Sequence, residues 1–210
     1  MSTKINVTPI DLRLSAIWML QPEYTSFRQA LEAKGYTLKD LRSGAVIQLA
    51  TKGSIEVISN IERRTIGIRS EKSTRDLQIA QEDLEQIYEE LGVEESNLLL
   101  FEFVGSFLAS ATRSPLELMK TFTIEKDVLR KIGTILEEDV VTVGLKLTKK
   151  EGNPTSTDWL SVDIEPLYPT ANKSYIIRIV VRGEKEKVIT FLKKIEKRIE
   201  RIIKKLEETT

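Results

Sequence analysis

Two carboxylates, Asp163 and Glu165, lie two residues apart in a segment whose pattern predicts a β-strand. Side chains alternate along a strand, so both carboxylates project to the same side, beside Ser161 and Trp159. Such a pair can hold Mg²⁺ or act as acid and base. The same spacing is also common on exposed strands, no third carboxylate stands at a diagnostic distance, and the chain has no phosphate-binding glycine loop. A carboxylate- or metal-dependent enzyme is therefore the third of three functional hypotheses, and no catalytic, cofactor or metal residue is assigned.

Histidine and cysteine are both absent from the 210 residues. Serine–histidine and cysteine–histidine catalysis, disulfides and the usual zinc sites need one of these side chains, so the sequence excludes them. Lysine and arginine together number 32, as do aspartate and glutamate, and the formal net charge is zero. A neutral chain has no overall field that attracts nucleic acid, and any such partner must be recognised by a local patch.

A candidate for such a patch is a group of basic residues on the predicted strands. Alternation places five of them opposite the core-facing residues of their strands: Arg13, Arg69, Lys146, Arg178 and Arg182. If the strands form one sheet, these residues share a face that can bind phosphates or an acidic peptide. Asp11, Asp163 and Glu165 fall on the same face, where pairs of opposite charge are ordinary sheet stabilisers. A nucleic-acid-binding protein that uses this face is the second hypothesis.

The first part of the chain predicts a strand, a short helix and three more strands. Residues 10–18 alternate between apolar and polar types, as a half-buried strand does. Pro22 near the start and Gly35 at the end bound a short helix. Further strands are predicted at 45–50, 54–59 and 65–70.

A long amphipathic helix is predicted to follow. Ser73 and Asp76 form a capping box at its start, and Gly92 ends it. Its apolar residues recur at spacings of 3, 4, 3 and 4: Leu77, Ala80, Leu84, Ile87 and Leu91. This spacing gives one continuous apolar stripe.

The second part of the chain predicts the same order of elements. A strand at 98–108 is followed by a helix that begins at Ser114 and Pro115. A helical or irregular piece covers 124–132 and ends at Gly133. The remaining predicted elements are strands at 140–148, 159–165 and 175–181 and a long helix from about residue 184.

Three aromatic residues, Phe101, Phe103 and Phe107, alternate on one face of the strand at 98–108. We expect them to be core residues and not a platform for stacking bases. Apolar residues on the opposite face of this strand, including Leu100 and Val104, predict that both of its faces are buried.

The repeated order of elements predicts an α+β protein made of two similar halves, residues 1–95 and 96–210. This order is similar to that of the TATA-binding-protein-like folds, in which two halves build one curved antiparallel sheet with long helices on its convex side. The resemblance implies the same architecture here. It does not imply DNA binding, because the paired phenylalanine wedges of that family cannot be placed: the first half has only Phe27, on a predicted helix.

The two long helices differ in charge. Residues 74–95 hold eight acidic residues and one basic residue, whereas 184–210 hold nine basic and six acidic residues. The principal hypothesis is a non-enzymatic binding or assembly protein that contacts itself, for example as a dimer, or another protein through these helices. Its expected contact residues are the apolar stripe of the last helix: Val188, Leu192, Ile195, Ile199, Ile202 and Leu206. The alternative is that each stripe covers its own sheet.

No segment approaches the roughly 20 apolar residues that span a membrane, and the first residues contain no apolar signal core. The sequence therefore predicts a cytoplasmic protein without a membrane partner. Long helices rich in lysine and glutamate, without cysteine or histidine, are typical of thermophilic proteins.

Overall fold

A computed structural model describes residues 4–41, 44–71, 73–122 and 126–208. Within these ranges the chain is a mixed α+β protein, as the sequence predicts. Its strands are β1 Val7–Trp18, β2 Thr37–Leu38, β3 Val46–Lys52, β4 Ile55–Asn60, β5 Thr65–Ser70, β6 Leu98–Ser110, β7 Leu145–Thr148, β8 Trp159–Pro166 and β9 Ser174–Gly183. Its α-helices are α1 Tyr24–Ala33, α2 Thr74–Glu90, α3 Pro115–Thr121, α4 Lys126–Leu136, α5 Lys185–Lys193 and α6 Ile195–Glu208.

The strands form one antiparallel sheet in the order β2-β3-β4-β5-β1-β6-β9-β8-β7. The long strands β1 and β6 pair at its centre, where Leu14 lies opposite Phe103. Strands from the first part of the chain lie on one side of the β1–β6 junction, and strands from the second part lie on the other. Two residues far apart in sequence can therefore be neighbours at this junction.

Helices cover one face of the sheet, called the inner face here. Helix α2 packs against β5 and β1, α5 against β6 and β9, and α6 against β1 and β6. Strand β1 shows the alternation that results, because Leu12, Leu14 and Trp18 are buried on the inner face whereas Arg13 on the opposite, outer face stays exposed. The core is thus the layer between the sheet and the helices.

The aromatic residues of β6 lie in this core, as expected. Phe101, Phe103 and Phe107 are buried on the inner face. The expectation of burial on both faces is wrong, because Leu100 and Val104 on the outer face are only half-buried. An antiparallel sheet can leave one face to solvent, and a strand in it needs only one apolar face.

The predicted last helix is divided into two. It is interrupted at Lys194, whose N–H bonds to the carbonyls of Leu192 and Phe191 and whose φ is −115°. The apolar spacing continues through this break, so the pattern does not reveal it. The break lets α5 lie over β6 and β9 while α6 crosses to β1.

Gly133 does not end a helix, contrary to the prediction. Helix α4 continues to Leu136, and the chain then turns at Glu137, which has a φ of 56°. The N–H of Glu138 donates to the carbonyl of Gly133 at 3.1 Å, and a Cβ at position 133 would lie 2.6 Å from the carbonyl oxygen of Glu138. The glycine therefore permits a close return of the chain along α4. The first two residues of the predicted piece, 124 and 125, lie outside the described residues.

Candidate interaction surfaces

The outer face of the sheet mixes aliphatic and polar side chains across the central strands. Along β6, the outer residues are alternately apolar and polar: Leu100, Glu102, Val104, Ser106 and Leu108. Val104 has Val180 on one side and Arg13 on the other, and Leu108 has Ile176 on one side and Thr8 on the other. Apolar and polar residues are therefore neighbours on this face.

The charged residues of this face occur beside residues of opposite charge. Glu102 lies opposite Arg182, and Nε of Arg182 donates to its carboxylate at 2.8 Å. Further along β6, Ser106 lies between Asp11 and Arg178. Both signs of charge are present, so the outer face has no strong excess of either sign.

All five basic residues of the second hypothesis lie on the outer face, and each has a carboxylate beside it. The nitrogen-to-oxygen distances are 2.9 Å for Arg13–Asp11, 2.8 Å for Arg69–Asp11, 3.5 Å for Lys146–Asp163 and 3.3 Å for Arg178–Glu165. Arg182 is paired with Glu102 as described above. The side chains of Arg13 and Arg178 are about half exposed, so these pairs contribute little to stability. They do neutralise the positive charge that a phosphate would need.

Asp11 is the centre of this network. Burial acts to raise its pKa, but hydrogen bonds from Arg69 and Arg13 outweigh burial, and the pKa of Asp11 lies below its usual value. The hydrogen bond to Asp11 raises the pKa of Arg69 in turn. Arg69 also contacts Glu56 and Glu71, at 3.5 and 3.0 Å. Arg69 therefore forms ion pairs with three carboxylates.

The carboxylates of the enzyme hypothesis also project onto the outer face. Asp163 faces Lys146 and Glu165 faces Arg178, so the two belong to separate ion pairs. Oδ1 of Asp163 is buried and has no hydrogen-bond partner in the described part of the chain. Within the described ranges, no three histidine, cysteine, aspartate or glutamate residues converge as ligands for a metal ion. Both carboxylates therefore form ion pairs with basic residues of the neighbouring strands, which is a structural role.

The six expected contact residues of the last helix lie against the chain's own sheet. Val188, Leu192, Ile195 and Ile199 are fully buried in the core. Ile202 and Leu206 are partly buried and pack against the same core. Most of this stripe is therefore covered within the folded chain.

Exposed apolar side chains are concentrated on α4 and in the segment that follows it. Of sixteen large hydrophobic side chains that are exposed in the described residues, seven fall within 128–147: Val128, Ile132, Ile135, Leu136, Val141, Val143 and Leu147. Four of these lie on one side of α4, and Ile135 is 80% exposed. The return of the chain through 137–140 lies along the same helix. These seven residues are called the α4–β7 surface.

Sequence reasoning did not find the α4–β7 surface. The signal was present, because residues 128, 132, 135 and 136 have the spacing of one helical face. Because the helix was expected to end at Gly133, residues 135 and 136 were not assigned to the same helical face as residues 128 and 132. Apolar clusters of this kind on a protein surface usually mark a contact site.

Charged residues flank the α4–β7 surface in two blocks of opposite sign. An acidic block, Glu137, Glu138 and Asp139, precedes Val141 and Val143. Three lysines follow them, Lys146, Lys149 and Lys150, of which Lys146 is paired with Asp163 and Lys149 with Asp158 within the chain. The acidic residues are exposed, and so is Lys150.

Comparison of the chain with protein-family models and with curated protein sequences found no match to either. None of the helices in the described ranges combines the length and the apolarity that crossing a membrane requires.

Proposed function

We propose that the chain is a non-enzymatic assembly protein that pairs with a second copy of itself through the α4–β7 surface. The observation that carries the proposal is the concentration of exposed aliphatic side chains between residues 128 and 147. Water-exposed apolar area of this kind is unfavourable, and a partner surface that covers it stabilises the assembly. The last helix, whose stripe is already buried, has no part in this proposal.

The charge pattern favours a second copy as the partner. Most homodimers have a twofold axis, and in such an interface residue i of one copy meets residue j of the other and the reverse. A segment that crosses the axis runs antiparallel to its own copy. The acidic block at 137–139 then faces the lysines at 146–150 of the second copy, twice. Lys146 and Lys149 already pair with Asp163 and Asp158, so the charge complementarity of this arrangement rests mainly on Lys150.

We further infer that the two halves are a duplicated unit with the arrangement of the TATA-binding-protein-like folds. Support comes from the strand order outward from the centre, which is β1, β5, β4, β3 on one side and β6, β9, β8, β7 on the other. In each half the first strand is central and the last strand pairs with it. The first half adds the short β2 at its edge. No function follows from this resemblance.

The test is the solution mass of the full chain, measured by light scattering at low and high salt. We expect a dimer at concentrations on the order of 10 µM. Ile135→Asp, which places a charge at the most exposed apolar position of α4, should give a folded monomer because a buried unpaired charge is costly. The matched control is Ile61→Asp, at a residue that is 49% exposed in the turn between β4 and β5, and this variant should remain a dimer.

Charge reversal tests the twofold arrangement. Glu138→Lys and Lys150→Glu should each weaken the dimer by about tenfold, and the double variant should recover most of that loss. A wild-type chain that stays a monomer at high concentration would overturn the proposal. So would a dimer that Ile135→Asp leaves intact.

Nucleic-acid binding by the outer face is the second candidate, favoured by the presence of all five predicted basic residues on one face. Binding to a mixed-sequence duplex should weaken steeply with salt, and the double change Arg69→Glu and Arg178→Glu should abolish it. Lys197→Glu on α6, at an exposed position on the helical side, is the control. Binding that survives the double change would exclude the outer face.

A further inference from the structure

Strand β7 forms one edge of the sheet, and its outward side is open. The N–H of Lys149 donates to the carbonyl of Leu160 at 3.0 Å, so the backbone groups of every second residue before it also point towards β8. The N–H and C=O groups of Lys146 and Thr148 therefore point away from the sheet. They have no hydrogen-bond partner in the described part of the chain, and both residues are exposed. Such an edge is a template for another strand.

The segment before β7 keeps the sequence pattern of a strand but lies beyond the end of β8. Apolar and polar residues alternate from 141 to 148, and the apolar set is Val141, Val143, Leu145 and Leu147. Pairing with β8 ends at Leu145, opposite Ile164. The next hydrogen-bonded position on β8 is Pro166, whose nitrogen carries no hydrogen and cannot donate. Beyond Leu145 the backbone can therefore pair further only on its outward side.

The apolar side chains of this edge are not fully covered. Leu147 lies beside Val162 of β8, which is buried on the inner face, yet Leu147 is 47% exposed. Val141 and Val143 are exposed to a similar degree. Within the described ranges no helix makes an extended contact with β7. A further strand with apolar residues on its inner face would continue the core layer past this edge.

The segment is complementary to itself when two copies run antiparallel. Outward-pointing backbone groups must lie opposite each other, so even-numbered residues of one copy pair with even-numbered residues of the other. With Gly144 opposite Gly144 of the second copy, Val143 lies opposite Leu145 and Val141 lies opposite Leu147. Each apolar residue of the segment then has an apolar neighbour across the junction, which is the favourable kind of cross-strand pair.

The neighbouring registers lack this match. Moving the twofold axis from residue 144 to residue 145 places Val141 opposite Lys149 of the second copy. Moving it to residue 143 places Leu147 opposite Asp139. A charged residue opposite an apolar one loses water without gaining a partner, so the register centred on Gly144 is preferred.

We propose that the two copies join edge to edge, β7 to β7, as an antiparallel pair centred on Gly144, so that one sheet runs through both chains. This register also places Glu138 at the level of Lys150 of the second copy. The inference rests on the proposed function, because it specifies how the α4–β7 surface meets its copy. It goes further in assigning part of the contact to backbone hydrogen bonds.

Proline substitution tests the backbone contact. In the proposed pair, Lys146 exchanges two backbone hydrogen bonds with Thr142 of the second copy. Lys146→Pro removes an N–H that points away from β8, a position at which an edge strand accepts proline. By symmetry the change removes two hydrogen bonds from each dimer, and light scattering should show a dimer weakened by about tenfold or more. Lys146→Ala, the control, also loses the exposed ion pair with Asp163 but keeps the N–H, and it should remain a dimer.

Amide hydrogen exchange is a second readout, which needs no substitution at the edge. The N–H groups of Lys146 and Thr148 should exchange slowly in the wild-type dimer and rapidly in the Ile135→Asp monomer. The N–H of Leu147 points towards β8 and should be protected in both.

Cysteine cross-linking tests the register, because the sequence has no cysteine. Val141 and Leu147 of the second copy form a non-hydrogen-bonded pair, with Cα atoms about 4.5 Å apart, which a disulfide can span. A mixture of Val141→Cys and Leu147→Cys chains should form a disulfide-linked dimer on mild oxidation, whereas either variant alone should not. Val143→Cys mixed with Leu147→Cys is the matched control and should cross-link far more slowly.

The outcomes separate this inference from the proposed function. A dimer that Lys146→Pro leaves intact, with rapid exchange at Lys146 and Thr148, would overturn edge pairing, while the proposed function would still stand on its Ile135→Asp test. Faster cross-linking between positions 143 and 147 than between 141 and 147 would overturn the register. A wild-type monomer would overturn both proposals. Exchange and cross-linking decide the inference whether or not Lys146→Pro folds.

Discussion

Glu207 and Thr112 are joined by two hydrogen bonds across 95 residues of sequence. The carboxylate of Glu207 accepts from the backbone N–H of Thr112 at 3.0 Å and also from its hydroxyl. The buried hydroxyl of Tyr175 donates to the same carboxylate at 3.3 Å. The end of α6 is thereby attached to the loop that follows β6.

Removal of this carboxylate should destabilise the fold. Glu207→Ala leaves the buried hydroxyl of Tyr175 and the more exposed donors of Thr112 without their acceptor, and we expect the free energy of unfolding to fall by about 2–3 kcal/mol. Glu208→Ala, at the exposed neighbour that pairs with Lys205, should change it by less than about 1 kcal/mol. Urea denaturation measures both, and equal effects of the two variants would contradict the role given to Glu207.

Gly105 should tolerate no side chain. A Cβ at this position would lie 2.6 Å from the ring of Phe103 and 2.7 Å from that of Phe107. Both rings are fully buried, so they cannot move aside without disturbing the core. We expect Gly105→Ala to cost about 1–3 kcal/mol or more by thermal denaturation.

Gly44→Ala is the control for this change, because among the described residues its Cβ would meet only the carbonyl oxygen of Val46, at an ordinary 3.7 Å. A melting temperature that both variants leave unchanged would show that the Phe103 and Phe107 rings have more room than the structure gives them.

Glu23 should titrate far below an ordinary glutamate. Its carboxylate caps α1 and accepts hydrogen bonds from the backbone N–H groups of Ser26 and Thr25, at 2.7 and 2.8 Å. These bonds lower the pKa of Glu23 from 4.5 to about 2. The stabilisation is complete above the unfolded value of 4.5 and is lost as the pH falls through about 2.

Thermal denaturation of the wild type and Glu23→Gln across this range tests the assignment. The advantage of the wild type should be constant near neutral pH and should shrink as the carboxylate protonates. An advantage that does not change with pH would show that Glu23 stabilises α1 by something other than its charge. Carboxyl NMR titration gives the pKa of Glu23 directly.

Tyr88 and Tyr36 should respond in opposite ways to loss of their hydroxyl groups. The Tyr36 hydroxyl donates to Asp83 at 3.0 Å, and burial together with Asp83 raises its pKa well above the usual value. Tyr36→Phe should cost about 1–2 kcal/mol. Tyr88→Phe removes a buried hydroxyl that has no hydrogen-bond partner of good geometry among the described residues, and it should be neutral or stabilising by about 1 kcal/mol. Equal destabilisation of the two variants in chemical denaturation would show that the Tyr88 hydroxyl has a partner.

Local patterns in the sequence were sufficient to predict most of the helices and strands. Ser73 caps α2 by accepting from the N–H groups of Arg75 and Asp76, and Ser114 caps α3 through Glu117. Period-two alternation located β1, β4, β5, β8 and β9 and assigned the five basic residues to one face. Strand β2 was missed, because two residues carry no periodicity.

The sequence by itself therefore determined the α+β class, the faces of the strands and helices and the absence of cysteine and histidine chemistry, because these depend on residue types and near neighbours. Only the tertiary structure showed that Arg69 is bound to three carboxylates, that the stripe of α5 and α6 is buried, and that the α4 stripe is exposed. Periodicity shows which side of an element is apolar but not what covers it. The ion pair between Glu85 of α2 and Lys185 of α5 depends on non-local pairing in the same way, because α2 packs on β1, α5 packs on β6, and these two strands join at the centre of the sheet.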